Sequence, residues 1–327
     1  MVSSARSARS TEMALATPAS HGASTASSLT RELTGSKRDV RGRAVEAVLL
    51  ATLGLSLLIL VALVVNLVQR AWPVLSGRLG DFLSSGLDAS NASEAGVWQA
   101  IRGTLTLAVI VAIVAFPLGI ACAVFLEEYA SKTFFARLIR INVRNLAGVP
   151  SIVYGILGLT IFVKFADGVT GGRTVISGGL ALAVLVLPVV IITASEALRA
   201  VPQSIREGAY GVGATKWETV RSHVLPSAAP GILTGTVLAL SRAAGEAAPL
   251  LLVGGITGLL RTGDQGLWEQ ITKGGFTSMP VAIFSYARQT GADFQAVTGA
   301  ASLILLILVV LINALAIWLR NRFEKRW

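Results

Sequence analysis

The chain has 327 residues, 53% of them hydrophobic and 14% charged, with a net charge of +10 and a mean hydropathy of +0.69. A water-soluble domain of this size needs more charge to cover its surface, which excludes a soluble enzyme or binding module as the main body. One cysteine and two histidines argue against a disulfide framework and a His/Cys metal centre, and no basic stripe is interleaved with aromatics as nucleic-acid binding requires.

Residues 1–43 are rich in Ser, Ala, Thr and Arg and lack a long apolar stretch, which predicts a disordered basic tail. The first apolar run begins near Ala44 and is too long for a signal-peptide core. Crossing a bilayer takes about 20 apolar residues in a helix. Six segments qualify: roughly Val45–Val68, Ile101–Leu126, Leu146–Val163, Val175–Ala194, Ile232–Val253 and Ala300–Leu319. Gly, Pro or charge interrupts the third and the fifth. The fold class expected is an all-α polytopic membrane protein of about six transmembrane helices. Its membrane domain would be 44–320, followed by a short C-tail, 321–327. Residues 254–297 hold only short apolar runs, such as Val281-Ala-Ile-Phe-Ser-Tyr286, and are expected as one or two helices lying at the outer surface.

Basic residues orient such a chain, because cytosolic loops carry the Lys/Arg excess. With the N-terminus inside, the N-tail, the second-to-third and fourth-to-fifth connections and the C-tail hold nineteen of the 28 basic residues. Both termini are therefore expected in the cytosol. The high net charge is then mostly this bias, with attraction to anionic lipid head groups as a second contribution.

The fourth-to-fifth connection, 199–226, carries two Ser/Thr-x-x-Glu patterns, Ser204 with Glu207 and Thr215 with Glu218. Each can satisfy free N–H groups at a helix start. Gly211 and Gly213 stand between them and permit a left-handed turn. Two short helices joined by a sharp glycine turn are predicted, with Tyr210 as an aromatic anchor for a soluble partner. In the fifth span, Arg242 and Glu246 are expected on one helix face at i, i+4 spacing, in line with Gly231, Gly235 and Ala239. Charges inside a membrane usually face a bundle interior or an aqueous path. Arg242 either binds an anionic cargo, balanced by Glu246 when the path is empty, or forms a structural pair with it.

The run Glu207-Gly208-Ala209, then Gly213, then Leu225-Pro226, resembles the EAA loop of ABC importer permeases. In that family the loop forms a coupling helix seated in a cleft of the ATPase. Arg206 and Tyr210 belong to the same stretch. Gly208 departs from the usual alanine, loosening the helix by about 1 kcal/mol, and His223 stands where an aliphatic residue is common. The segments Ser241-Arg-Ala-Ala-Gly-Glu-Ala-Ala-Pro-Leu-Leu251, Ala147-Gly-Val-Pro-Ser-Ile-Val-Tyr-Gly155 and Ser278-Met-Pro-Val-Ala-Ile-Phe-Ser-Tyr-Ala287 are similar to PstA-type permeases of phosphate importers. This resemblance covers nearly everything after residue 44. It implies the type I (MetI-like) importer architecture in a bacterial inner membrane. It also implies a homologous PstC-type permease, a PstB-type ATPase dimer carrying ATP and Mg, and a PstS-type phosphate-binding protein. The chain itself would be a non-catalytic subunit without a cofactor. Ser151, after Pro150 early in the third span, either lines the path or packs.

Three other readings remain distinguishable. No Gly-Lys dipeptide occurs, so the chain has no phosphate-binding motor loop of its own. A permease for sulfate, molybdate or phosphonate would share the same loop. A secondary transporter would not explain the loop and should show an inverted repeat, which does not stand out.

Overall fold

The computed structural model describes residues 40–130, 133–255 and 274–323. The expectations for residues 1–39, 256–273 and 324–327 lie outside these. The chain divides into two units, Met1–Leu63 and Val64–Trp327.

Helix α1, Val40–Ser84, starts inside the stretch expected to be disordered and far outruns the predicted first span. In the first unit, residues 42–63 are exposed all round and almost wholly apolar. A helix apolar on every side belongs in a membrane or a core. In the second unit α1 buries Ala71, Val74 and Phe82, and its backbone departs from helical geometry at Arg78 (φ −149°, ψ 34°).

The rest of the second unit is built around one helix. Helix α2, Trp98–Val124, ends in a π-helical turn, Phe125–Tyr129. Helix α3, Phe134–Ala147, is capped by the Thr133 side chain, which accepts from the Ala136 N–H. Helix α4, Ser151–Gly158, continues as a π-helical stretch to Phe165. α3 and α4 meet at 101°. The predicted third span is therefore broken after Ala147 and resumes at Ser151. Pro150 is the reason: it disfavours helical backbone at the residue before it and offers a fixed φ for the helix that follows. Helix α5, Val175–Ala200, is capped by Thr174, whose side chain accepts from Ser177 N–H. α5 is the centre, with α2 and α7 on its flanks; Val186 and Val190 are fully buried. Helices α6, Gln203–Gly211, and α7, Lys216–Gly245, follow. Next come α8, Ala248–Val253, α9, Met279–Ala287, and α10, Ala292–Phe323.

Close approach of α7 to α5 rests on Gly235. A Cβ there would stand 2.2 Å from Thr193 Oγ1, so only a hydrogen fits. Small residues of this kind let membrane helices come near enough for dispersion to act.

The expectation of surface-lying helices in 254–297 is corrected for α9. Met279, Pro280, Val281, Ala282, Ser285 and Tyr286 are buried. Met279 and Tyr286 share a core with Phe82, Leu87 and Val97. The apolar run was too short to cross a membrane, but long enough to fill a core. Tyr286 donates its hydroxyl to the Gly96 carbonyl at 2.6 Å, and burial pushes its phenol well above the usual range. That carbonyl lies in the loop after α1. Asp88 there accepts the Ser90 and Asn91 N–H groups at 2.7 and 3.0 Å, which hold its carboxyl below the usual range. Arg78 donates to the carbonyls of Ala92, Ser93 and Ala95.

Among the described residues, five helices are long and apolar enough to cross a membrane, or six if the bent pair α3–α4 is one span. The protein is a multi-pass, all-α membrane protein.

Candidate functional site

The connection from α5 to α7 forms a helix–turn–helix at one end of the bundle. The two predicted capping boxes fare differently. Thr215 accepts the Glu218 N–H, and Glu218 Oε2 accepts the Thr215 N–H at 2.8 Å. Ser204 caps nothing: α6 begins after Pro202, at φ −56°, and Ser204 falls inside the first turn. Proline has already preset the helical entry, so the serine is one turn position too late. Between the helices only Gly213 takes the left-handed conformation, at φ +85°, while Gly211 ends α6. Ala214 N–H then reaches back to the Ala209 carbonyl at 3.1 Å. Valine at position 213 is expected to cost about 1–2 kcal/mol, measurable as a lower midpoint in thermal unfolding of detergent-purified protein.

The second helix is not short. α7 runs on through Leu225 and Pro226, which the sequence reading put at the end of the motif. Residues Val220–Val224 just before the proline are π-helical. The widened turn takes up the missing N–H and the proline ring without a break. Leu225 packs against the cluster of Ala194, Leu198, Val224 and Ala228.

The loop presents Glu207, Gly208, Tyr210, Val212, Gly213 and Trp217 to the outside. Val212 is 85% exposed and Trp217 56%; neither was singled out from sequence. Ala209 is buried beneath them. A Cβ on Gly208 would meet nothing within 4 Å.

Arg206 points the other way. Its Nη2 lies 2.7 Å from Glu128 Oε1, and it also donates to the carbonyls of Val201 and Leu198, at 2.9 and 3.0 Å. Next to it, Arg199 forks onto Glu127 at 2.8 and 2.7 Å. Arg140 Nε is 3.6 Å from the same Glu127 carboxylate. The two acidic side chains are nearly buried, at 10% and 7% exposure. An open cleft of about 570 Å³, lined in part by Glu128, Arg206, Tyr210 and Lys216, lies beside them. Lys216 stands over the Tyr129 ring at 5.2 Å. From sequence, Arg140 and Arg199 count only as loop charge, and Arg206 is expected in the coupling stretch rather than in an ion pair with Glu128. The available signal was an adjacent Glu-Glu pair closing an otherwise apolar span.

The other predicted constellation is rearranged. α7 stops at Gly245, so Glu246 is outside the helix, with extended backbone (φ −84°, ψ 121°). Continuing the helix would press the Pro249 ring on the Gly245 carbonyl four residues back. The pair survives at 3.6 Å between Arg242 Nε and Glu246 Oε1. The small-residue stripe Gly231, Gly235, Ala239 faces α5 and continues to buried Ala243, not to Arg242, whose side chain is 47% exposed. The charged pair thus sits beside the packed seam. Ser151 is half-buried at the start of α4. One turn on, Tyr154 donates to the Leu146 carbonyl at 2.8 Å. α4 and α8 pack closely, a Gly155 Cβ standing 2.8 Å from Pro249 Cα. Ser241 bonds to Asn313 of α10, and Arg320 donates to Thr234 Oγ1 at 2.9 Å.

Helices α2, α4 and α7 packed on α5, with an exposed helix–turn–helix at one end, are the architecture of an import permease. Superposition places the chain on the bacterial alginate ABC transporter with a TM-score of 0.62 at 16% identity, covering 88% of this chain and 98% of that one. The methionine transporter MetNI, in an inward-facing form, gives 0.53 at 19%, covering 70% and 98%. The chain belongs to the family of binding-protein-dependent transport system inner membrane components, matched over residues 115–327. Family membership implies a partner ATPase and a substrate-binding protein. Among its relatives, the phosphate transport system permease protein PstA of Yersinia pestis is 35% identical, covering 69% of this chain and 72% of that protein. PstA of Mycobacterium leprae is 39% identical, covering 67% and 68%.

Proposed function

We propose that this chain is the permease subunit of an ATP-driven importer of inorganic phosphate. The observation that carries the reading is its 35% and 39% identity to two phosphate transport permeases over two thirds or more of each chain. It pairs with a second, homologous permease, receives phosphate from a binding protein outside, and stands on a dimeric ATPase that holds the ATP and Mg. The basic bias puts both termini and the 199–226 loop in the cytosol. There Glu207, Gly208, Tyr210, Val212 and Trp217 form the face that seats in the ATPase. Arg206, Ala209 and Leu225 hold that face from behind, and Gly213 and Pro226 shape the turn and the helix after it.

The Arg242–Glu246 pair is the phosphate contact. At 3.6 Å the internal pair is loose, and a guanidinium matches phosphate oxygens better, two hydrogen bonds at a time. Phosphate displaces Glu246, which takes the arginine back when cargo leaves. Ser151, at the start of α4, is a further hydroxyl for the same path.

The test is phosphate uptake by the assembled complex in proteoliposomes with internal and external ATP varied. ATP-dependent uptake of phosphate in preference to sulfate is expected. In Arg242→Gln, uptake should fall about tenfold or more, the worth of one charge-assisted hydrogen bond, while co-purification with the ATPase persists. Wild-type uptake and affinity in that variant would remove Arg242 from the path. Uptake independent of ATP, or of sulfate instead, would refute the assignment.

A further inference from the structure

We infer that Glu127 and Glu128 are positioning residues that make the loop helix α6 and the ends of α2 and α5 move as one piece. The inference rests on the reading of this chain as an ATP-driven permease.

Three observations carry it. Glu127 and Glu128 are neighbours in the π-helical turn that ends α2. They grip two different elements: Glu127 is forked by Arg199 at the end of α5, and Glu128 by Arg206 in the middle of α6. Arg199 is 46% exposed, but the Glu128 half of the grip is not a surface decoration. Arg206 and Glu128 have 13% and 7% side-chain exposure, and Arg206 spends further donors on the Val201 and Leu198 carbonyls across the α5–α6 junction. Arg140, donating to the Leu126 carbonyl, brings α3 against the same turn.

A buried ion pair is a poor way to add stability, since apolar side chains of equal volume often do as well or better. What it adds is direction. A forked arginine–carboxylate contact holds one geometry, whereas apolar burial is non-directional. A force applied to the exposed face of α6 is therefore delivered to α2 and α5 without slack. Coupling between distant sites needs an element of this kind, with defined arrangements that both sites bias.

The decisive variant is the apolar double replacement E128L/R206M, which removes the directional contact without stranding a charge. It is placed in the complete complex in proteoliposomes, and phosphate transported per ATP hydrolysed is measured. The double variant is expected to co-purify with its ATPase and hydrolyse ATP, with a transport ratio about fivefold or more below wild type. The charge exchange E128R/R206E should recover part of that ratio. An unchanged ratio in the assembled double variant would overturn the inference. A second measurement does not depend on the cargo. Spin labels at Ser204→Cys in α6 and Ile113→Cys in α2, in a Cys122→Ser background, should report one distance with and without ATP in the wild-type sequence. The distance should broaden or shift in E128L/R206M. A wild-type distance that changes with ATP would overturn the inference. A wild-type complex that hydrolyses ATP but moves no phosphate would count against the function proposed above, and the distances alone would then judge the clamp.

Discussion

Glu128→Ala alone should destabilise the folded protein by about 3–5 kcal/mol, the range seen when one partner of a buried pair is removed. Arg206 then keeps its charge at 13% side-chain exposure with only two backbone carbonyls to answer it. The loss should appear as a lower thermal midpoint and a smaller monodisperse fraction in detergent chromatography. Two comparisons make the expectation specific. Glu207→Ala, one residue along on the exposed face of α6, should change stability by less than about 0.5 kcal/mol, as surface substitutions do. The double apolar variant should recover most of the stability lost in Glu128→Ala. A single variant as stable as Glu207→Ala would mean that water reaches the pair freely.

Gly235→Leu should strongly damage the membrane body. The first added carbon already collides with Thr193 at 2.2 Å, and three more carbons have no room between α7 and α5. Overpacking of this kind costs about 3 kcal/mol. The helix has no cheap escape, because Ala239 and Ala243 on the same seam are also buried. Expression of folded protein and its thermal midpoint should both fall. Gly54→Leu is the control: nothing lies within 4 Å of that position, and lipid-facing leucine is its natural surroundings, so little change is expected.

The elements that sequence reasoning placed well are those governed by local chemistry. Long apolar runs became spans, and the Thr215–Glu218 box closed because both partners lie within one turn. Gly213 took the left-handed turn because no Cβ is there to oppose it. Proline effects are local too: Pro150 is expected as a helix-start or kink residue and is one, whereas the effects of Pro202 and Pro249 were missed. Pro150 starts α4, Pro202 displaces the Ser204 cap, and Pro249 ends α7 before Glu246. In each case the ring acts on a residue one to four positions away, which a scan for apolar length does not weigh. Other features were not legible because they depend on distant partners. The Glu128–Arg206 contact joins residues 78 apart in sequence. The burial of α9 depends on Phe82 and Val97, and the inward turn of Arg206 depends on an acidic pair in another helix. A charge count treats an arginine in a loop as solvated, and only the fold reveals that its side chain is taken.

The π-helical stretch at Val220–Val224 also sets a phase. A residue added to a helix without its share of rise rotates everything downstream by about 100° relative to an uninterrupted α-helix. The face of α7 that follows the Thr215 cap is therefore not the face that carries Arg242 along the same arithmetic row. The exposed loop and the charged pair are held at a fixed angle by a geometric offset within one helix. Shortening that stretch by a single residue would leave every side chain near both ends chemically intact and still aim the arginine in another direction.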